Sequence, residues 1–155
     1  MHKPFYASGF LYHVATQQIL LHQANISNNP LSLWRMFGDF SHTDEDAHTA
    51  FQRILFEQLH IKLPTTHLLP VYDYDLNTRN TIHYVFYAEV PKLSVFPLGD
   101  GGVFSWFTFK QTTKLIFSEQ AKQDVMVSER VVNAQARSLE PTVLHNQKQY
   151  EKVLT

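Results

Sequence analysis

The stretch from Gly38 to Ile61, Gly-Asp-Phe-Ser-His-Thr-Asp-Glu-Asp-Ala-His-Thr-Ala-Phe-Gln-Arg-Ile-Leu-Phe-Glu-Gln-Leu-His-Ile, constrains this chain more than any other. It reads as a turn followed by one amphipathic helix. Ala47, Ala50, Phe51, Ile54, Leu55 and Leu59 recur at spacings of three and four, which marks one buried face. Glu45, Thr49, Arg53 and Glu57 are each four apart and line a polar face. Thr43 followed by Asp46 reads as a capping-box-like start, and Asp44, Glu45 and Asp46 put negative charge at the positive end of the helix. On a continuous helix Glu45 and Glu57 would lie about 18 Å apart. They do not share an ion without a bend, and Arg53 between them is placed to pair with Glu57 or Thr49. The plain alternative is a surface helix with ordinary i,i+4 ion pairs.

The rest of the chain sets bounds. Its 155 residues suit one domain with a sizeable core. Hydrophobic content of 44% and charged content of 17% are those of an ordinary globular chain. A formal net charge of −1 argues against wholesale binding to nucleic acid or an anionic membrane. With no cysteine, disulfides, thiol catalysis and thiolate metal sites are excluded. The nine histidines lack the spacing of a zinc-binding helix. The opening Met-His-Lys-Pro-Phe-Tyr does not read as a signal peptide, no apolar run suits a bilayer span, and a cytoplasmic location is the default expectation.

The order of elements follows from pattern. Residues 5–14 read as a strand, 15–17 as a turn and 18–23 as a second strand. Residues 24–30 form a polar loop, and 31–37 are a short apolar segment leading to Gly38. After the helix and a connector containing Pro64, residues 67–76 and 81–90 are rich in aromatic and β-branched residues. Asn77-Thr78-Arg79-Asn80 joins these two as a hairpin turn. A loop with two prolines and three glycines (91–102), a strand (103–109), a short helix (110–116) and a longer helix (118–139, with Ser118 as N-cap) follow. The expected organisation is one domain over residues 1–139 and a polar tail over 140–155.

Residues 38–61 resemble the Nudix box, G-x5-E-x7-R-E-U-x-E-E-x-G-U with U apolar. Anchored on Arg53, Glu45 takes the first signature glutamate. The acidic positions after the arginine fall on Ile54, Glu57 and Gln58, and the two glycines on Asp39 and His60. Three further stretches are similar to family features: Ser8-Gly9-Phe10-Leu11 with residues 18–23 (the opening hairpin), Leu33 to Gly38 (the lead into the box, with Phe37 for proline), and Ser105 to Thr108 (the strand before the last helices). The resemblance implies an α+β chain built as a Nudix-like α/β/α sandwich with a mixed β-sheet.

It also implies a chemistry: magnesium-dependent or manganese-dependent hydrolysis of a nucleoside diphosphate linked to another moiety. In that reading Glu57, Arg53 and Glu45 are the catalytic set. Glu57, Gln58 and the Gly38 backbone hold the metal, and Arg35, Asp39 and His83 meet the substrate. Ile54, where the family has a glutamate, speaks against standard catalysis. Residues 50–59 and Thr81-Ile82-His83-Tyr84-Val85 are similar to the GDP-mannose mannosyl hydrolase branch, which also carries an apolar residue after the arginine, although its retained glutamate aligns with Gln58. The second reading is a nucleotide-binding module that has lost the metal centre, and the third a structural or partner-binding domain. Asp73 and Asp75 share one strand face, solvated or metal-facing. Glu89 and Asp100 are candidates for a late acidic residue, and Arg79 and Lys92 for phosphate contacts. The expected partner is a small nucleotide-type ligand, with neither a membrane nor extended nucleic acid, and a homodimer is left open.

Overall fold

The computed structural model describes residues 3–23, 33–76, 80–96 and 102–154, with 139–154 by backbone alone. Strand β1 (Tyr6–His13) forms the centre, and every residue after Tyr6 is buried. A run such as Ala-Ser-Gly-Phe-Leu-Tyr suits a strand covered on both faces. Along its whole length β1 pairs in parallel with β6 (Thr81–Val90), from Tyr6 opposite His83 to His13 opposite Val90. Strand β5 (Leu68–Leu76) lies antiparallel to β6 and shifts register between Pro70 and Tyr72. Proline has no N–H for a ladder, so a bulge in this outer strand accommodates it.

The other edge of β1 is divided. It meets β2 (Gln18–Gln23) only at Tyr12–Ile19 and His13–Gln18, after which the two strands splay. Residues 34–40 fill the gap. Trp34 and Arg35 (β3) pair with Gln23 and His22 of β2, and Phe37–Phe40 (β4) pairs with β1 between Gly9 and Tyr6. Strand β7 (Val103–Thr108) covers the far edge of β2. The sheet is thus mixed, with one parallel pair among the described strands, and residues 34–37 of the apolar segment expected at 31–37 belong to this two-part wedge, which runs on to Phe40.

Alternation along β1 and β6 sorts the side chains into two cores. Ala7, Leu11, Phe86 and Ala88 face helix α1 (Ala47–Leu59) and pack with Phe51, Ile54, Leu55 and Leu59. Phe10, Tyr12, Val85 and Tyr87 face the other way, with Phe109 of the short helix α2 (Phe109–Thr112) and Val125 and Val132 of α3 (Glu119–Leu154). The result is the expected α/β/α sandwich. Gly9 lies where β1 and β6 meet α1. A Cβ there would sit 2.1 Å from the Phe86 carbonyl oxygen and 2.6 Å from Phe51 Cζ.

The Ser118 side chain caps α3, accepting from the Ala121 N–H at 3.2 Å. The sequence pattern ends that helix at Leu139, whereas its backbone stays helical to Leu154. Pro141 does not stop it, and the Gln, Lys and Glu that follow are good helix formers. No helix among the described residues is long and apolar enough to cross a membrane. The expected loop 24–30, residues 77–79 of the hairpin turn (with Arg79) and Asp100 lie outside the described residues.

Candidate functional site

The turn before α1 is built by its acidic residues. Asp44 takes a left-handed φ of 66°, and the Glu45 carboxylate accepts from the His42 N–H at 2.7 Å. Helix α1 begins after Asp46, the N-cap, whose carboxylate accepts from the Thr49 N–H at 2.8 Å. The start is therefore Asp46 and not Thr43, because the reversal at Asp44 prevents an earlier one. At the other end His60 adopts the left-handed cap (φ 56°) and gives its N–H to the Phe56 carbonyl at 3.0 Å, doing what a glycine usually does.

Arg53 ties this turn to the helix. Its Nε meets Glu45 at 2.7 Å, one terminal nitrogen meets Glu57 at 3.0 Å, and the other reaches the Phe40 carbonyl at 3.0 Å. Glu45 is not on the helical face where periodicity puts it. It folds over from the turn, so both glutamates share one guanidinium despite their separation in sequence. Arg53 and Glu45 are mostly enclosed, while Glu57 is half exposed. Hydrogen bonding from Arg53 holds the Glu45 carboxyl below the ordinary carboxylate range, with the His42 N–H adding to it.

The residues expected to hold a divalent cation are arranged otherwise. The Gln58 side-chain amide donates to the Gly38 carbonyl at 3.1 Å, so an N–H occupies the approach a cation would need. Glu57 is turned to Arg53. Ile54 is fully buried in the core under α1. Asp39 is exposed on β4 and accepts from the Phe40 N–H at 2.7 Å. Among the described residues no three His, Asp or Glu side chains come together to hold a metal ion. Magnesium is commonly held by one or two carboxylates with waters and substrate phosphates, and here the two carboxylates of the box, Glu45 and Glu57, are both paired with Arg53. Asp73 and Asp75 of β5 and Glu89 of β6 are exposed.

On the opposite face of the sheet a cleft of about 370 Å³ opens where residues 34–36 meet the start of α3. Tyr6, Ser8, Trp34, Arg35, His83 and Asp124 are among its lining residues. It brings together two of the three expected substrate residues, Arg35 and His83, and leaves out Asp39. His83 bonds Ser8 through Nε2 at 2.8 Å and the Tyr74 hydroxyl through Nδ1. Tyr74 also donates to Asp124 Oδ2 at 3.3 Å, while Asp124 Oδ1 accepts from Tyr72 at 2.5 Å and from Gln120 at 3.1 Å. Burial pushes His83 below its ordinary value, with Asp124 opposing. Burial and the adjacent Asp124 raise Tyr72 and Tyr74, which stay phenols.

Ser8, Tyr72, Tyr74, Gln120 and Asp124 are absent from the set read off the sequence. One signal for them exists there. A hairpin turning at residues 77–80 places Tyr74 opposite His83, as observed. Nothing local announces Asp124.

No protein-family model matches this chain, and no curated protein matches it in sequence. Its likeness is to solved structures. A MutT/nudix family protein from Enterococcus faecalis superposes with a TM-score of 0.64 at 15% identity, over 86% of this chain and 64% of that one. The dihydroneopterin triphosphate pyrophosphohydrolase of E. coli gives 0.63 at 15% identity, over 83% and 95%. The NUDIX domain of Shewanella oneidensis NrtR, solved with ADP ribose, gives 0.59 at 19% identity, over 83% and 86%. The chain has the Nudix fold, as residues 38–61 lead one to expect.

Proposed function

We propose that this chain is a Nudix-fold binding module. In this reading it takes a small nucleotide-type ligand in the cleft between the sheet and α3, and the box helix serves as scaffold, not as a metal-dependent hydrolytic centre. One observation carries the reading: the Gln58 amide donates to the Gly38 carbonyl while Arg53 takes up both Glu45 and Glu57. The loop and helix that a bridging cation would link are already linked by hydrogen bonds. Ile54 in the core removes the remaining ligand position.

Features of the cleft support the ligand class. Arg35 supplies a cation suited to phosphate, and among the described residues it has no carboxylate partner. Trp34 and Tyr6 offer aromatic surface to a planar ring. The related NUDIX domain bound to ADP ribose makes a nucleotide of that size a reasonable first probe.

Thermal melts with AMP, ADP and ADP-ribose, in magnesium and again in chelator, test this. The expected outcome is a rise in melting temperature of equal size in both buffers, as ligand linkage requires when no metal takes part. It should shrink in Arg35→Ala. Stabilisation that vanishes with chelator, or nucleotide hydrolysis in magnesium that Glu57→Gln abolishes, would instead establish the hydrolase reading.

A further inference from the structure

Helix α3 outlasts the sheet it packs on. Val125 and Val132 are buried in the sandwich, and Ser128 between them is fully enclosed. From Asn133 to Ser138 every residue is exposed. Ala136 is among them although it lies one turn beyond Val132 on the same face, so the sheet no longer covers that face. The backbone stays helical to Leu154, about 33 Å past Val132. A helix of that length is marginal alone in water. Pro141 weakens it further, because an interior proline removes a backbone hydrogen bond and crowds the preceding turn. Residues 133–154 therefore need support from outside the sandwich.

The apolar face that leaves the core at Val132 continues at Ala136, Leu139, Val143, Asn146, Tyr150 and Val153, alternately four and three apart. At about 100° per residue, all six positions fall within about 60° of Val132. Roughly three heptads of this spacing make a coiled-coil seam. Arg137, Lys148, Glu151 and Lys152 fall about 100° or more from it, and Pro141 falls opposite it. Of the larger apolar residues past Val132, only Leu144 lies off the seam.

We propose that α3 pairs with α3 of a second copy of this chain, antiparallel over residues 136–153. The fold sets the direction. The face that carries the seam packs on the chain's own sheet at Val125 and Val132, so a parallel partner continuing past Val132 would run into that sheet. An antiparallel partner arrives from the C-terminal end and meets only the uncovered stretch. The stripe itself selects a second copy, because its spacing reads the same in both directions. About a twofold axis between Val143 and Asn146, Ala136 of one copy falls opposite Val153 of the other, Leu139 opposite Tyr150, and Val143 opposite Asn146. Every seam position after Val132 then has a counterpart. The two asparagines fall in neighbouring central layers, where one amide reaches the other, whereas a wholly apolar partner helix would leave each unpaired. The flanking positions Asn133, Gln135, Glu140, Thr142, Gln147 and Gln149 carry a single charge, so identical helices meet without strong like-charge repulsion. Gln120 and Asp124 of the cleft lie in the first turns of α3, so pairing and ligand binding use different stretches of it.

Sedimentation of the full chain over a dilution series tests this. The expected outcome is a monomer–dimer equilibrium, with helical circular dichroism falling as the dimer dissociates and the freed stretch unwinds. Leu139→Asp with Val143→Asp should raise the dissociation constant about a hundredfold or more while the sandwich stays folded. Leu144→Asp, off the seam, should change it by less than about threefold. The chain has no cysteine, so introduced ones read the direction. Ala136→Cys mixed with Val153→Cys should cross-link, and Ala136→Cys alone should not. A monomer at every concentration, or a dimer that the Leu139→Asp, Val143→Asp pair leaves intact, overturns the interface. Cross-linking of Ala136→Cys to itself, or none in the mixture, overturns the antiparallel register.

Discussion

Gln58 and a glutamate differ by one group, an amide NH2 in place of a carboxylate oxygen, and the Gly38 carbonyl tells them apart. The amide donates to that carbonyl, whereas a carboxylate would repel it. Gln58→Glu should therefore lose about 1–2 kcal/mol in chelator, the cost of a hydrogen bond replaced by two facing acceptors. Millimolar magnesium should recover part of that loss, because a cation satisfies both oxygens. Melts of wild type and variant in both buffers check this, and an equal magnesium effect on the two would show that the box is not arranged as described. Ile54 is a different case. It is fully buried among Phe51, Leu55 and Phe86. A glutamate there should destabilise the fold by on the order of 4 kcal/mol or more at neutral pH, since no cation is placed to compensate it. The penalty should shrink as pH falls, because a buried carboxyl is easier to protonate. Adding both carboxylates loses more in the core than a cation returns, so the missing glutamate at position 54 is a commitment of the sequence to packing.

Strand β1 shows what a strand-level pattern reports and what it leaves out. Its limits, those of β2 and β6, and the apolar face of α1 follow from period and composition, because each depends on neighbours a few residues away. The opposition of Tyr74 and His83 follows from the turn between them. The division of β1's outer edge between β2 and β4 does not, since residues 31–37 read locally as a short apolar segment and 38–40 as part of a turn, while the place of 34–40 depends on two strands splaying. Nor does the convergence of Ser8, His83 and Asp124, which come from three elements far apart in the chain. The partners of the expected ligands are hidden for a related reason: Gln58 and Glu57 look like ligands in sequence, and the structure shows them bonded to Gly38 and Arg53. Gly9 marks the point where β1 must approach β6 and α1 most closely. Gly9→Ala should cost about 3 kcal/mol, because the nearest obstacle, 2.1 Å away, is backbone carbonyl and cannot swing aside. Denaturant melts measure this, and a loss below about 0.5 kcal/mol, the scatter of a neutral surface change, would contradict the packing of these three elements.

For the molecule as a whole, the shifted groups define a window of pH. Three are held below their ordinary values: Glu45 by Arg53, Asp46 by the Thr49 N–H, and His83 by burial. Each contributes stability that is present above its ordinary value and is lost as pH falls, because the unfolded chain then takes up a proton the fold resists. His83 acts first, below its ordinary 6.5, and the carboxylates follow below 4.5 and 3.8. Five tyrosines, Tyr6, Tyr12, Tyr72, Tyr74 and Tyr87, are raised above 10.0, in each case mainly by burial. Their contribution is full below pH 10 and is lost above it, as the unfolded chain releases protons that the fold retains. Unfolding free energy should be nearly flat between about pH 7 and 10, the ordinary values of histidine and tyrosine setting its edges. It should fall gently on the acid side and steeply on the alkaline side, by about 1.4 kcal/mol per pH unit for each tyrosine still protonated in the fold. Denaturant melts across pH, with phenolate absorbance followed alongside, give both limbs. Tyr72→Phe should make the alkaline limb shallower by about that one increment. An alkaline limb of unchanged slope in this variant would mean that the Tyr72–Asp124 contact is not enclosed in the folded chain, and the cleft floor built on it would have to be redrawn.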